Sequence, residues 1–182
     1  MSMTNKKRAI FLDRDGVINK EVNHLSNPAQ FEFIPGSIEA LKILKQKGFL
    51  LIVITNQAGI ARGLFSEETL NQIHNKMRTI LNQNGIILDN IFYCPHHPDY
   101  TGICDCRKPK PGLIIKAQRE YNIDLQTSYM VGDTLADIET GIAANCKTVL
   151  VLTGYGLEEH NKMLSTKPDY IFENLLEFAK SF

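Results

Sequence analysis

Two aspartates, Asp13 and Asp15, leave an apolar run in "AIFLDRDGVINK" (residues 9–20), with Arg14 between them. Alternate residues leaving a strand point to the same side, so the two carboxylates can share one pocket. A carboxylate is a competent nucleophile towards phosphorus and gives an aspartyl-phosphate. A neighbouring acid can protonate the departing alkoxide and later deprotonate the attacking water. The plain alternative is a polar strand end closed by an Asp15-Gly16 turn, and "DRDG" by itself favours that alternative.

Three more clusters extend the same chemistry. In "VITNQAGIARG" (53–63), Thr55 and Asn56 end a second apolar run, and Gly59 and Gly63 keep the following backbone open. A hydroxyl, a side-chain amide and free backbone N–H groups cradle phosphate oxygens, although the same residues serve equally in turns. In "CRKPKPG" (106–112), Arg107, Lys108 and Lys110 stand just before a helical pattern. A phosphoryl group in transfer needs cations against its oxygens. Lysine supplies a point charge, and a guanidinium grips anions or hydroxyls in bidentate fashion. Alone, these three read as a basic surface patch. In "MVGDTLADIETG" (130–141), Asp133 ends a strand and Asp137 falls in the first turn of a helix. Such oxygen ligands suit Mg²⁺, which keeps several waters and takes one or two protein carboxylates. Asp133 can join Asp13 on the ion, with Asp137 orienting it from behind. A helix dipole accounts fully for Asp137 and only half for Asp133.

A separate group lies in "CPHHPDYTGICDCRKPKP" (94–111). Cys94-x-His96 and Cys104-x-Cys106 offer three thiolates and an imidazole, which complete a tetrahedral Zn²⁺ site with no open position. That makes the zinc structural, a staple for a long loop whose last thiolate precedes Arg107 and Lys108 directly. Spacing alone leaves His96 and His97 both able to ligate. In a reducing compartment the cluster points to metal before disulfide, with free loop cysteines the alternative. Cys146, in an apolar segment, reads as a small core residue.

The elements that position these groups follow from the apolar pattern. Strands are expected at 9–12, 50–55, 91–94, 129–132 and 148–152, with a weaker one at 170–172. Runs that are apolar on both faces suit a parallel sheet covered on both sides. Helical patterns lie between them. The first runs from Pro35 to Gly48, and the second follows Ser66 in a capping-box spelling and ends at Gly85. Others open at Pro111, at Thr134 and at Asn174. Strand and helix alternate, so the class is α/β with a doubly wound parallel sheet. The two long connections, 19–34 and 94–111, fall at strand C-termini, where open α/β sheets bind ligands.

The chain has 182 residues, 43% of them hydrophobic and 22% charged, which suits one domain over 1–182 with a zinc loop at 94–108. Twenty basic and twenty acidic residues cancel. Nothing points to nucleic acid or an anionic membrane as partner, and no run approaches a membrane span. The expected setting is the cytoplasm, the expected state a monomer.

Four motifs, "FLDRDG", "VITNQ", "RKPKPG" and "VGDTLAD", resemble those of the haloacid dehalogenase (HAD) superfamily of phosphohydrolases, over nearly the whole chain. The resemblance implies a HAD-like doubly wound, Rossmann-like sheet in a capless member. It implies Asp13 as nucleophile, Asp15 as general acid/base, and Thr55 and Lys108 as phosphoryl-binding residues. Mg²⁺ would be held by Asp13, Asp133 and the backbone carbonyl of Asp15. Within the superfamily, "FEFIPG", "TNQAGIARG", "YCPHHP", "CDCRKPKPG" and "SYMVGD" resemble the heptose-bisphosphate phosphatase family of bacterial heptose-nucleotide and lipopolysaccharide biosynthesis. That resemblance implies a small phosphorylated sugar as substrate. Glu21, Val22, Asn23 and His24 would line the sugar, with Asn56, Gln57 and Arg107 also binding substrate. It selects His96 as the fourth zinc ligand. Two features depart from the pattern: Glu21 stands where a different acid is usual, and "DYTGI" (99–103) is short, in the direction of the histidinol-phosphate phosphatases. Histidinol phosphate is therefore the alternative substrate, and a phosphate-binding module without catalysis the alternative class.

Overall fold

The computed structural model describes residues 6–162 and 166–182. Six strands, β1 (Ala9–Leu12), β2 (Leu50–Asn56), β3 (Asn90–Cys94), β4 (Tyr129–Gly132), β5 (Lys147–Val151) and β6 (Tyr170–Phe172), form one sheet in the order β3-β2-β1-β4-β5-β6. Every pairing is parallel. Among the described residues seven helices accompany them: α1 (Ser37–Gln46), α2 (Glu67–Gln83), α3 (Pro98–Thr101), α4 (Gly112–Tyr121), α5 (Leu135–Ala143), α6 (Gly156–Lys162) and α7 (Leu175–Lys180).

The sheet is covered on both faces because its central strands are apolar on both. In β1, Ile10 and Leu12 join one cluster, and Ala9 and Phe11 join the other. β2 divides the same way, with Leu51 and Val53 on the first face and Ile52 and Ile54 on the second. Helix α1 contributes Ala40, Leu41 and Leu44 to the first layer, and α2 adds Ile73, Met77 and Leu81. Helix α4 contributes Leu113, Ile114 and Ala117 to the second. Burying side chains of this size contributes roughly 1.5–3 kcal/mol each, which makes the layered core the main support of the fold.

The chain runs outward from β1 to β3, then returns to the other side of β1 to lay down β4, β5 and β6. The reversal opens a crevice beyond the C-terminal ends of β1 and β4, the usual ligand position in such sheets. Asp13 directly follows β1 and Asp133 directly follows β4, so both flank the crevice.

Strand boundaries match the expected ones to within a residue. Three helix details differ. Ser66 does cap α2, accepting from the Thr69 N–H, but no acidic side chain completes a box there. The complete capping box is at α5, where Thr134 and Asp137 serve each other's ends. Helices α3 and α6 were not foreseen. α3 is four residues with Pro98 first, and α6 buries only Gly156, so neither carries an apolar stripe. Apart from α3 and a single 3₁₀ turn at Pro28–Gln30, the two long connections add no further helix among the described residues, which is the capless form.

Candidate active site

Asp13 lies at the floor of the crevice. Its Oδ1 accepts from the Arg14 backbone N–H at 2.7 Å and meets Lys108 Nζ at 2.9 Å. Lys108 enters from the loop before α4 and is itself buried. Its ammonium also reaches Asp137 Oδ1 at 2.5 Å, while Asp137 Oδ2 accepts from the Thr134 N–H and hydroxyl at 3.0 and 2.6 Å. Both oxygens of Asp137 are thus engaged. It holds Lys108 in addition to capping the start of α5, a second role that the helix-dipole reading left out. Asn56 fixes the same lysine by its backbone, accepting from the Lys108 N–H at 3.0 Å and donating to its carbonyl at 3.2 Å.

Asp133 is set against two glycines. A Cβ on Gly16 would fall 2.0 Å from Asp133 Oδ2, and one on Gly154 would fall 2.1 Å from it. Both glycines have positive φ, +79° and +57°, so the close approach and the backbone geometry demand the same residue type. The Tyr155 N–H donates to Asp133 Oδ2 at 2.9 Å, and the Thr153 hydroxyl donates to the Gly16 carbonyl at 2.6 Å. Residues 153–155, after β5, therefore orient the carboxylate, and the sequence reading had assigned them nothing.

One ligand oxygen from each of Asp13, Asp133 and Asp137 lies within 4.8 Å of the other two. Two buried carboxylates, Asp133 and Asp137, and the partly buried Asp13 share this corner with the ammonium of Lys108, which pairs with Asp13 and Asp137. Burial pushes Asp13 up to about 7 against the pull of Lys108, with Asp137 and Asp15 adding to the rise. Burial pushes Asp133 up to about 9, reinforced by Asp13 and Asp137. Two surplus negative charges out of water, with hard oxygen donors, are the chemistry of a divalent cation site. Since Asp137 is consumed by Lys108 and Thr134, Asp13 and Asp133 are the side chains able to hold it. The Asp15 carbonyl accepts no backbone hydrogen bond among the described residues.

Asp15 is held quite differently. Arg14, fully buried, gives it Nε at 3.2 Å and Nη2 at 2.9 and 2.8 Å. Asn19 Nδ2 donates to Oδ1 at 2.9 Å and Gln57 Nε2 to Oδ2 at 3.1 Å. Burial raises the affinity of Asp15 for a proton, but the Arg14 charge and these donors together hold it below the usual carboxylate range. Gln57 Nε2 also donates to the Thr55 hydroxyl at 2.9 Å, tying the second motif to the first. Arg14 and its neighbour His74 were missed from the sequence.

A cleft of about 200 Å³ opens from Asp15. Glu21, Asn23, His24, Asn56, Gln57, Arg107 and Tyr155 line it with Asp15. Asn23 and His24 take positive φ, and the Asn23 N–H donates to Glu21 Oε1. Burial and the Asp15 charge raise Glu21. Two expected members fall outside the cleft. Val22 is 43% exposed and lines a neighbouring groove. Lys110 points to solvent and pairs with Asp105 at 3.1 Å, so it is not among the site's cations.

Beyond β3, Cys94, His96, Cys104 and Cys106 converge, again with ligand atoms within 4.8 Å of each other. His96 Nδ1 stands 3.3 Å from Cys106 Sγ and 3.8 Å from Cys94 Sγ. None of the cysteines is in a disulfide. His97 faces elsewhere: its Nδ1 caps α3 by accepting from the Asp99 N–H, and its Nε2 meets Arg62 at 2.9 Å. The geometry favours His96 as the fourth donor. Burial pushes the Cys94 thiol up, whereas Cys104 is drawn down to about 7, its small burial outweighed by hydrogen bonds from its neighbours. Arg107 Nη1 donates to the His96 carbonyl at 3.2 Å, so the cluster and the cleft share a residue.

Residues 105–178 match the HAD-hydrolase-like family model. The D-glycero-beta-D-manno-heptose-1,7-bisphosphate 7-phosphatase of Pasteurella multocida is 47% identical over 179 residues, 96% of each chain. Its namesake from Escherichia coli K12 is 46% identical over 158 residues, 84% of this chain and 83% of the relative. Among solved structures, the D,D-heptose 1,7-bisphosphate phosphatase of B. bronchiseptica, complexed with magnesium and phosphate, superposes with a TM-score of 0.90 at 39% identity. That match covers 96% of this chain and 97% of the other. Likeness of this extent, carried by both sequence and structure, means that the chain belongs to the heptose-1,7-bisphosphate 7-phosphatase family of HAD-like hydrolases.

Proposed function

We propose that the chain removes the 7-phosphate of D-glycero-D-manno-heptose 1,7-bisphosphate through a phospho-Asp13 intermediate. The observation that carries this reading is the unequal treatment of two aspartates that leave the same strand, β1, two residues apart. Asp13 has Lys108 on Oδ1 and no hydrogen bond on Oδ2 among the described residues, the state of an available nucleophile. Asp15, two residues on, is gripped by Arg14, Asn19 and Gln57 and lines the cleft, the state of a fixed proton carrier.

Asp13 attacks phosphorus as the bond between phosphorus and the C7 oxygen breaks, and Asp15 gives that oxygen its proton. Water then attacks the phosphorus of the aspartyl-phosphate, losing a proton to Asp15, and inorganic phosphate leaves with Asp13 restored. In the free enzyme Arg14 favours ionised Asp15. The negative charge of an incoming phosphate opposes that preference and raises its proton affinity. Lys108 and the Thr55 hydroxyl meet the phosphoryl oxygens. Asp13, Asp133 and the Asp15 carbonyl would hold Mg²⁺, which when bound offsets charge on those oxygens and returns Asp13 to its anionic form. Arg107 and Glu21, which both line the cleft, meet the remainder of the sugar phosphate. Cys94, His96, Cys104 and Cys106 would hold a closed, structural Zn²⁺.

The test is phosphate release over heptose 1,7-bisphosphate, histidinol phosphate and simple phosphomonoesters, with and without magnesium. The expected result is metal-dependent release with the heptose bisphosphate preferred, and a phosphoryl group on the Asp13 peptide after rapid quench. Asp13→Asn should abolish both release and labelling while the protein stays folded. Turnover by that variant, or release without a divalent ion, overturns the assignment; preference for histidinol phosphate redirects the substrate.

A further inference from the structure

Arg14 is the largest fully buried side chain among the described residues, and its donors are not all spent on Asp15. Nε and Nη2 face that carboxylate, and Nη2 also reaches Gln57 Oε1 at 3.4 Å. Nη1 turns the other way, to His74 Nε2 at 3.2 Å. His74 is 6% exposed and lies on α2, on the apolar face that carries Leu70, Ile73 and Met77. A histidine on that face is out of place for packing alone. Facing a guanidinium, which only donates, its Nε2 has to be an unprotonated acceptor. A buried ion pair holds its geometry only where its remaining protons are satisfied.

We infer that His74 is a positioning residue for the acid/base step: as a neutral acceptor it fixes the rotation of the Arg14 fork and thereby the direction of the Asp15 carboxyl. This rests on the reading of Asp15 as acid/base. Without His74, Nη1 is left buried and unpaired, and the guanidinium gains by swinging towards another acceptor at the expense of Asp15. Protonation of the leaving oxygen then suffers most. Phosphorylation of Asp13 suffers only so far as it needs that proton.

A leaving-group comparison isolates the effect. The parameter kcat/KM reports steps up to departure of the leaving group, and it is measured for heptose 1,7-bisphosphate, a poor leaving group, and for 4-nitrophenyl phosphate, a good one needing little protonation. General acid catalysis is worth roughly 10²–10⁴-fold, so a misdirected acid loses a good part of that on the sugar phosphate alone. His74→Leu is expected to lower kcat/KM at least about tenfold more for the sugar phosphate than for the aryl phosphate. His74→Gln, whose carbonyl can accept from Nη1, should recover most of the difference. If His74→Leu does not fold, Arg14→Lys carries the test, since it keeps the charge and loses the fork; it should show the same selective loss. Equal losses on both substrates mean a merely structural role and overturn the inference, as does no loss on either. Asp15→Asn is run in parallel. If that variant does not discriminate between leaving groups, the acid/base reading itself has failed; if it does and the His74 and Arg14 variants do not, only the positioning role has.

Discussion

The crevice and the cysteine loop each gather four metal-binding or charged groups, but they are held in opposite ways. In the crevice, the sheet holds the groups. Asp13 and Asp133 leave neighbouring parallel strands, and each carboxylate has a protein donor: Lys108 for one and the Tyr155 N–H for the other. In the loop, the groups must hold the backbone. Only Cys94 belongs to a strand, Cys104 and Cys106 follow a four-residue helix, and Ile103, just before Cys104, is 85% exposed. Preformed geometry costs stability, because buried like charges repel. Geometry borrowed from a bound ion would be lost with that ion.

The largest effect should come from breaking the preformed site at its one cation. Lys108→Met leaves the buried Asp133 and Asp137 and the partly buried Asp13 with no ammonium among them. Removing one partner of such a cluster typically costs about 3–5 kcal/mol. Loss of a single transition-state donor costs roughly 10²–10³ in kcat. Denaturant melts should show the drop in stability, part of it restored by magnesium, and turnover should fall below about a hundredth. Unchanged stability would mean that the carboxylates are already neutral and need no counterion.

Gly16→Ala probes the same site more gently. The new methyl meets Asp133 Oδ2 and the backbone must keep φ near +79°. Strain of this kind costs about 1–3 kcal/mol, and Asp133 is displaced before the strands are. The expected signature is a raised magnesium requirement, read from activity against metal concentration, with a smaller fall in the maximal rate.

How far the sequence revealed these two regions follows from the range of each interaction. Strands that are apolar on both faces, such as β1 and β2, declare themselves in four to seven residues. The polar clusters at their C-termini are legible because parallel topology brings all strand ends to one edge. The cysteine–histidine cluster is legible because soft donors crowd a short segment. Pairings across the fold are another matter. Arg14 meets His74 across 60 positions, and Lys108 meets Asp137 across 29. Nothing local in "IHNKM" distinguishes a buried acceptor from a surface histidine, and "TLAD" shows an ordinary acidic helix start. Tyr155 contributes through its backbone N–H, for which residue type carries no signal.

Zinc removal should affect the loop and leave the sheet. Chelation is expected to open 94–108 to protease while the strands stay protected, because the loop buries little of its own. The catalytic consequence should divide along the contacts. Lys108 is tied to Asn56 independently of the sulfurs, whereas Arg107 leans on the His96 carbonyl. KM should therefore rise more than kcat falls. An unchanged cleavage pattern after chelation would show that the loop needs no ion, and the contrast between the two regions would disappear.

The smallest effect separates the crevice from its support in α2. Burial, aided by the Arg14 charge, lowers His74 from 6.5 to about 3. The unfolded chain therefore takes up a proton at His74 as pH falls below 6.5, and the folded protein does not until about 3. The unfolded state binds more protons in that window, so stability rises with pH across it, and the contribution is complete above 6.5. One proton sets a slope of at most about 1.4 kcal/mol per pH unit. Denaturant melts of the wild-type protein and of His74→Gln between neutral and mildly acid pH should diverge in slope by a good part of that amount, the glutamine variant being flatter. Parallel slopes would place the imidazole in water, and with it the idea that α2 braces Arg14 from the dry side would fail.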